Sequence, residues 1–351
     1  MAGVLSFGRG LFEKAPVNGV DTSYKTFFRL QAGQIVLSQL FGWEGAIAPV
    51  TPEFAGRFVS SQFPTFRPKP NLDPAFARWI IRNSKLWDQL RSAAKGMGDR
   101  RRTLSPEIFF GASSTLPPLA EQQRIVAHLD AIEACLARVQ KLREDQEQQL
   151  LAALRSAFHR IESESEWIEM GKVAPLVRRE VEIDPTASYT EYGIKSFFKG
   201  IFLRRKMKGE EYSWQQLFWL KKGDVVFSNI MAWEKAIGFA SPEADGWIGN
   251  HRMLVCEPRQ EQVVSEWLYF YFTTAKGFAE ILKASPGTAA RNKTLKASSL
   301  LTIPVPIPSL DKQFEFKRLM DLRLAIQRKA QSTSERISAL LPSLLDSVFN
   351  G

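Results

Sequence analysis

The sequence predicts an α+β protein: two mixed α/β modules joined by two long helices that pack as an antiparallel coiled coil, with pseudo-two-fold symmetry. Two observations carry this prediction. The first is the stretch 118–161, which after Pro118 contains neither Gly nor Pro and places apolar residues at Ile125, Leu129, Ile132, Leu136 and Val139. Steps of four and three residues make a heptad seam. The seam blurs at Arg143 and Gln146 and resumes at Leu150, Leu154, Phe158 and Ile161. The second observation is that the chain repeats itself on either side of that rod.

A shift of 190 positions aligns Gly10-Leu11-Phe12 with Gly200-Ile201-Phe202. It also aligns Gly33, Ser38, Trp43, Glu44, Ala46 and Ile47 with Gly223, Ser228, Trp233, Glu234, Ala236 and Ile237. A shift of 191 then aligns Thr103-Leu104 with Thr294-Leu295, and Pro117, Leu119, Gln122 and Asp130 with Pro308, Leu310, Gln313 and Asp321. One single-residue change of register separates the two blocks. Only two copies exist and each is long, so the repeat is a duplicated domain rather than a solenoid. The expected divisions are 1–115 for the first module, 116–161 for the central helix, 162–306 for the second module and 307–351 for the C-terminal helix. The counterpart of Trp167 would fall before residue 1, so the first module is read as shortened at its N-terminus.

Taken in order, each module opens its middle with a short β-branched run after a Gly turn: 34–38 and 224–228. Strands are expected next at 46–48 and 236–239, then at 58–66 and 248–255. Helical segments follow at 74–92 and 265–284. A basic loop comes after each: 96–104 and 287–295. A short apolar strand is expected at 300–303. Pro117-Pro118 suits the first turn of the central helix. In the second helix Phe316, Met320, Leu324, Ile337, Leu341 and Leu345 lie near one face. Arg323 and Gln327 interrupt that register, and Pro342 is expected to kink the helix or restart it.

The 351 residues suffice for two cores, and a hydrophobic fraction of 44% is that of a globular protein. No apolar run reaches the roughly 18 residues that a membrane span needs. Cys135 and Cys256 form neither a disulfide framework nor a metal motif; Cys135 reads as core, and a cytoplasmic setting fits. The net charge is +10. Residues 118–161 carry six basic and six acidic residues, whereas residues 1–117 carry fifteen against eight. The surplus therefore sits on the modules, which places a polyanion there rather than on the helices. A basic but merely solvated surface is the alternative reading.

The best candidates for that polyanion are the duplicated basic loops: Arg100, Arg101, Arg102 and Thr103, with Arg291, Asn292, Lys293 and Thr294. Arg pairs bidentately with guanine and Asn with adenine, while Lys and Thr suit phosphates. Gln39 and Asn229, four residues before each Trp, could reach adenine edges. Arg204-Arg205-Lys206 is a weaker basic patch. Trp43-Glu44 and Trp233-Glu234 read first as core, with base stacking second. His251 has no ligand partner at metal spacing, and no metal site is expected. No GxxxxGK[ST], GxSxG or HExxH pattern occurs, nor an Asn-Pro-Pro or Asp-Pro-Pro tetrapeptide, so no catalysis is assigned to this chain.

At this point four stretches carry a family resemblance: LPPLAEQQRIVAHLD, its echo IPSLDKQFEFKRLMD, the endings LLAALRSAFHR and LLPSLLDSVFNG, and the pair QIVLSQLFGWEGAIA and DVVFSNIMAWEKAIG. The chain resembles the specificity subunit of Type I restriction–modification enzymes over nearly its whole length. The resemblance implies a non-catalytic reader of double-stranded DNA, with two target recognition domains for the halves of a split, asymmetric site. It implies two modification subunits as partners, which supply S-adenosylmethionine-dependent adenine methylation. Restriction subunits would join them, so that S-adenosylmethionine, ATP and Mg belong to the partners and no cofactor to this chain. A coiled-coil adaptor that binds only proteins is the alternative; it would show neither steep salt dependence nor a preferred DNA sequence.

Overall fold

The computed structural model describes residues 1–18, 22, 24–94, 102–212, 216–287 and 293–350. Two compact units divide the chain: 1–144 with 330–351, and 145–329. The divisions therefore fall inside the long helices. The reason is packing: the ends of both helices are buried in module cores, as detailed below. No described helix is long and apolar enough to cross a membrane.

In the first unit a three-stranded antiparallel sheet has the order Ile47–Pro49, Ile35–Leu37, Thr65–Phe66. Phe27–Arg29 pairs with Phe58–Ser60, and Ala2–Val4 with Leu11–Glu13. The second unit repeats all three pairings. Val225–Ser228 lies between Ile237–Phe239 and Met253–Cys256, Leu217–Trp219 pairs with Ile248–Asn250, and Ser188–Ile194 pairs with Ile201–Lys208. The register is conserved between copies: Val36 opposes Ala48, and Val226 opposes Gly238. The runs expected at 58–66 and 248–255 are thus each two strands. The central strands Ile35–Leu37 and Val225–Ser228 are buried at every position, which is why they read as continuous apolar runs.

The segment 74–92 is likewise two helices, Pro74–Ile80 and Ser84–Ala93, and 265–284 is Ser265–Thr273 and Ala275–Lys283. Each second helix starts on a capping side chain. Asn83 accepts from the Lys85 amide, and Thr274, at the equivalent position, accepts from the Gly277 amide. The strand expected at 300–303 is instead a helix, Ala297–Leu301, that buries Leu300. The strand comes next, at Pro304–Ile307, paired only with Glu166–Glu169. A proline-bearing strand fits that two-stranded edge, where missing amides cost no interior hydrogen bond.

The long helices are Leu119–Glu162, of 44 residues, and Leu310–Asn350, of 41. The second runs through Pro342 without ending, so of the two outcomes expected there, a kink or a restart, the restart does not occur. Within each unit the two helices meet in antiparallel order. In the first unit Leu129 packs with Leu345, Phe349, Phe76 and Trp79. In the second, Met320 and Phe316 share a core with Leu154, Phe158, Trp267 and Phe270. These are equivalent clusters: Phe349 stands 5.4 Å from Phe76, and Phe158 stands 4.3 Å from Trp267. Of the expected seam, Leu129, Leu154, Phe158, Phe316, Met320 and Leu345 are buried, and Ile125, Ile132, Leu136, Val139, Leu150, Ile337 and Leu341 are half-buried. Leu324 is a correction: it is exposed, because there Arg323 and Gln327 both donate to Glu147 and a polar contact replaces the apolar one. Cys135, read as core, is exposed as well.

Candidate nucleic-acid interface

Each central strand ends in a tight turn whose geometry is the same in both units. After Ile35–Leu37 the chain passes through Ser38 and Gln39 into a single 3-10 turn, Gly42–Glu44. The Trp43 indole N–H donates to the Leu40 carbonyl at 2.9 Å. After Val225–Ser228 the turn is Ala232–Glu234, and the Trp233 indole donates to the Ile230 carbonyl at 2.9 Å. The indoles are thus staples of their own turns, and Trp43 is buried. The residue closing each turn is left-handed: Gly45 with φ 74° and Lys235 with φ 67°. Lysine there accepts strain that glycine avoids.

The basic loops return to these turns. The Leu104 amide donates to the Gln39 carbonyl at 2.7 Å, and the Leu295 amide to the Asn229 carbonyl at 2.7 Å. Arg102 then lies with its guanidinium carbon 5.7 Å from the Trp43 ring centroid, and Lys293 with its Nζ 5.7 Å from that of Trp233. So Gln39, Trp43, Arg102 and Leu104 converge in one module, and Asn229, Trp233, Lys293 and Leu295 in the other, across about sixty residues of chain. Thr103 and Thr294 sit between the cation and the anchoring leucine. Arg100, Arg101, Arg291 and Asn292 lie outside the described residues.

In the second unit the cluster borders a cleft of about 630 Å³ lined by Asn229, Ile230, Met231, Trp233, Glu234, His251 and Arg252. The Asn229 side-chain oxygen is buried there without a hydrogen-bond partner among the described residues. An amide so placed can still bond an incoming group, which a satisfied one cannot. The weaker basic patch behaves differently. Arg204 and Arg205 both pair with Glu191, a carboxylate that is almost wholly buried, so one of their two charges is answered within the protein. Among the described residues no cluster of His, Cys, Asp and Glu could hold a metal.

The sequence analysis does not single out a third segment of this assembly, the turn at 6–8 and at 196–198. Ser6 donates to the Glu44 carboxylate, and the Phe7 and Gly8 amides donate to the Glu44 and Gly45 carbonyls. Ser196, Phe197 and Phe198 make the same three bonds to Glu234 and Lys235. Phe7 and Phe197 are held at φ 63° and 62°, a conformation that costs an L-residue about 1–2 kcal/mol. The signal was present, since Ser6-Phe7 and Ser196-Phe197 are identical at the 190 shift, three residues before an aligned glycine.

Two units of one plan, each presenting a Trp-backed basic cluster on the same turn, define a duplicated binding protein. Residues 162–330, just under half of the chain, match the family described as the Type I restriction modification DNA specificity domain. Its fold is similar to that of the HsdS subunit from Thermoanaerobacter tengcongensis, with 18% identity, a TM-score of 0.56, and coverage of 99% of this chain and 88% of that one. It is also similar to a chain from a structural study of complex assembly and conformational transition of the type I R-M system. That match has 19% identity, a TM-score of 0.64, and coverage of 92% and 83%. Among curated proteins no sequence matches. The family match supports DNA recognition by this chain and does not favour the adaptor reading.

Proposed function

We propose that each module reads one half of a bipartite, asymmetric double-stranded DNA site through its turn-and-loop cluster. The observation that carries this is the convergence, in both units, of one amide side chain, one cation on a Trp ring and one loop anchored by a leucine amide. Lys293 and Arg102 supply phosphate contacts, and Asn229 and Gln39 supply hydrogen bonds to base edges. The clusters differ in these residues, which supports different half-sites. Arg100, Arg101, Arg291 and Asn292, on the same loops, belong to the proposed contact set by sequence.

The chain acts as the reader while chemistry lies with partners. Two modification subunits would bring S-adenosylmethionine, and restriction subunits would bring ATP and Mg, in the cytoplasm. The two long helices, to which both units contribute core residues, couple the readers. The test is DNA binding by the full chain with duplexes of random sequence, titrated with salt. We expect Lys293→Ala and Arg102→Ala each to reduce the salt slope by about one, as expected for one phosphate contact. A parent chain that selects no sequence, or unchanged slopes in both variants, would remove these clusters from the interface.

A further inference from the structure

We propose that Phe7 and Phe197 are wedges that insert against a base step of each half-site, so that the protein reads local unstacking of DNA besides base edges. This rests on the DNA-reading role of the modules and adds a residue pair to it. Phe197 is 67% exposed, the highest value for a large apolar side chain among the described residues, and Phe7 is 50% exposed. Non-glycine residues with positive φ are Phe7, Phe197, Phe198 and Lys235 among the described residues, and the two exposed phenylalanines occupy equivalent positions. Glycine would take this conformation freely, and at the next position the first copy does use glycine, with Gly8 against Phe198. The Phe7 ring, half exposed, meets the Trp87 ring edge-on at 5.8 Å, whereas Phe197 stands more open, and packing of that kind does not account for a strained backbone kept in both copies.

The surroundings point to nucleic acid. The backbone of each phenylalanine is hydrogen-bonded to the glutamate that follows Trp43 or Trp233, so the ring is fixed to the same turn as Arg102 or Lys293. Two residues on, each copy exposes a cation: Arg9, whose guanidinium lies 5.9 Å from the Phe7 ring, and Lys199. A rigid apolar ring flanked by cations on a basic surface matches the wedges that unstack base steps while neighbouring charges hold the phosphates.

The test uses the full chain and a duplex that it selects from a random-sequence pool. Failure to select any duplex would end the DNA-reading role itself, independently of the wedge. With a selected duplex, Phe197→Ala should weaken binding roughly five- to a hundredfold, the range for losing one base–aromatic contact. The salt slope should stay unchanged, because no charge is lost. Phe197→Gly should lose the same affinity yet melt no lower than the parent, and Phe197→Trp should retain binding. 2-Aminopurine placed along one half-site should brighten with the parent and not with Phe197→Ala, while Phe7→Ala should abolish brightening in the other half. Equal affinity of parent and Phe197→Ala, or an affinity loss that tracks a lowered melting temperature, would overturn the wedge. Normal DNA binding with loss of a methyltransferase partner would overturn it too, and would assign the ring to a protein contact.

Discussion

A single glutamine at each helix start shows how much one residue organises. Gln122 is fully buried, accepts from the Asp73 amide at 2.8 Å and donates to the Asn71 and Pro117 carbonyls at 2.8 and 2.7 Å. Gln313 repeats this with the Val264 amide and the Gln262 and Pro308 carbonyls. One amide group ties the helix start to the loop before the module's first helix, and leaves no polar group unmet. Gln313→Leu would strand three backbone groups, and should cost on the order of 3 kcal/mol in a denaturant melt. Gln123→Ala, at an exposed neighbour of the first glutamine, should be near neutral. Equal melts for Gln313→Leu and the parent would refute this role. The Pro-x-Leu-x-x-Gln spacing was legible in the sequence; the job of the glutamine was not, because its three partners lie on chain about fifty residues away as well as beside it.

At the scale of elements, the helices were legible because a seam of period 3.5 is written in one segment. Its failure was local. Leu324 satisfies the spacing, but the face opposite carries Glu147, and the carboxylate recruits Arg323 and Gln327. Leu129→Asp places a charge in a sealed cluster and should cost about 3–5 kcal/mol, whereas Leu324→Asp should stay within about 1 kcal/mol. Leu136→Asp, at a half-buried site, should fall between them. Thermal melting of the three variants checks the order; a Leu324 variant as damaging as that of Leu129 would restore the uninterrupted seam. Strand lengths and the 297–301 helix were less legible, since short apolar runs do not separate helix from strand and tertiary packing decides.

For the whole molecule, the repeat was legible as aligned identities and the backbone shows it more fully. Left-handed residues recur at the 190 shift as Phe7 and Phe197, Gly8 and Phe198, Gly10 and Gly200, Gly33 and Gly223, Gly45 and Lys235, and Gly56 and Gly246. Two of these pairs keep the conformation although the second copy has Phe198 or Lys235 where the first has glycine, so the turn does not depend on the residue that makes it cheap. The candidate contact surface was legible only in part. The basic loops stood out by charge, but the phenylalanine displays did not, because exposure depends on backbone conformation rather than on residue type. The central claim is that one shared framework carries two independent readers, and a graft tests it most directly. Residues 195–300 would be replaced by those of a homologue of different specificity, and the methylated motifs would be sequenced in a host carrying the matching modification subunit. We expect one half-site to change while the other half and the gap between them stay fixed; a change in both halves, or in the gap, would contradict the account.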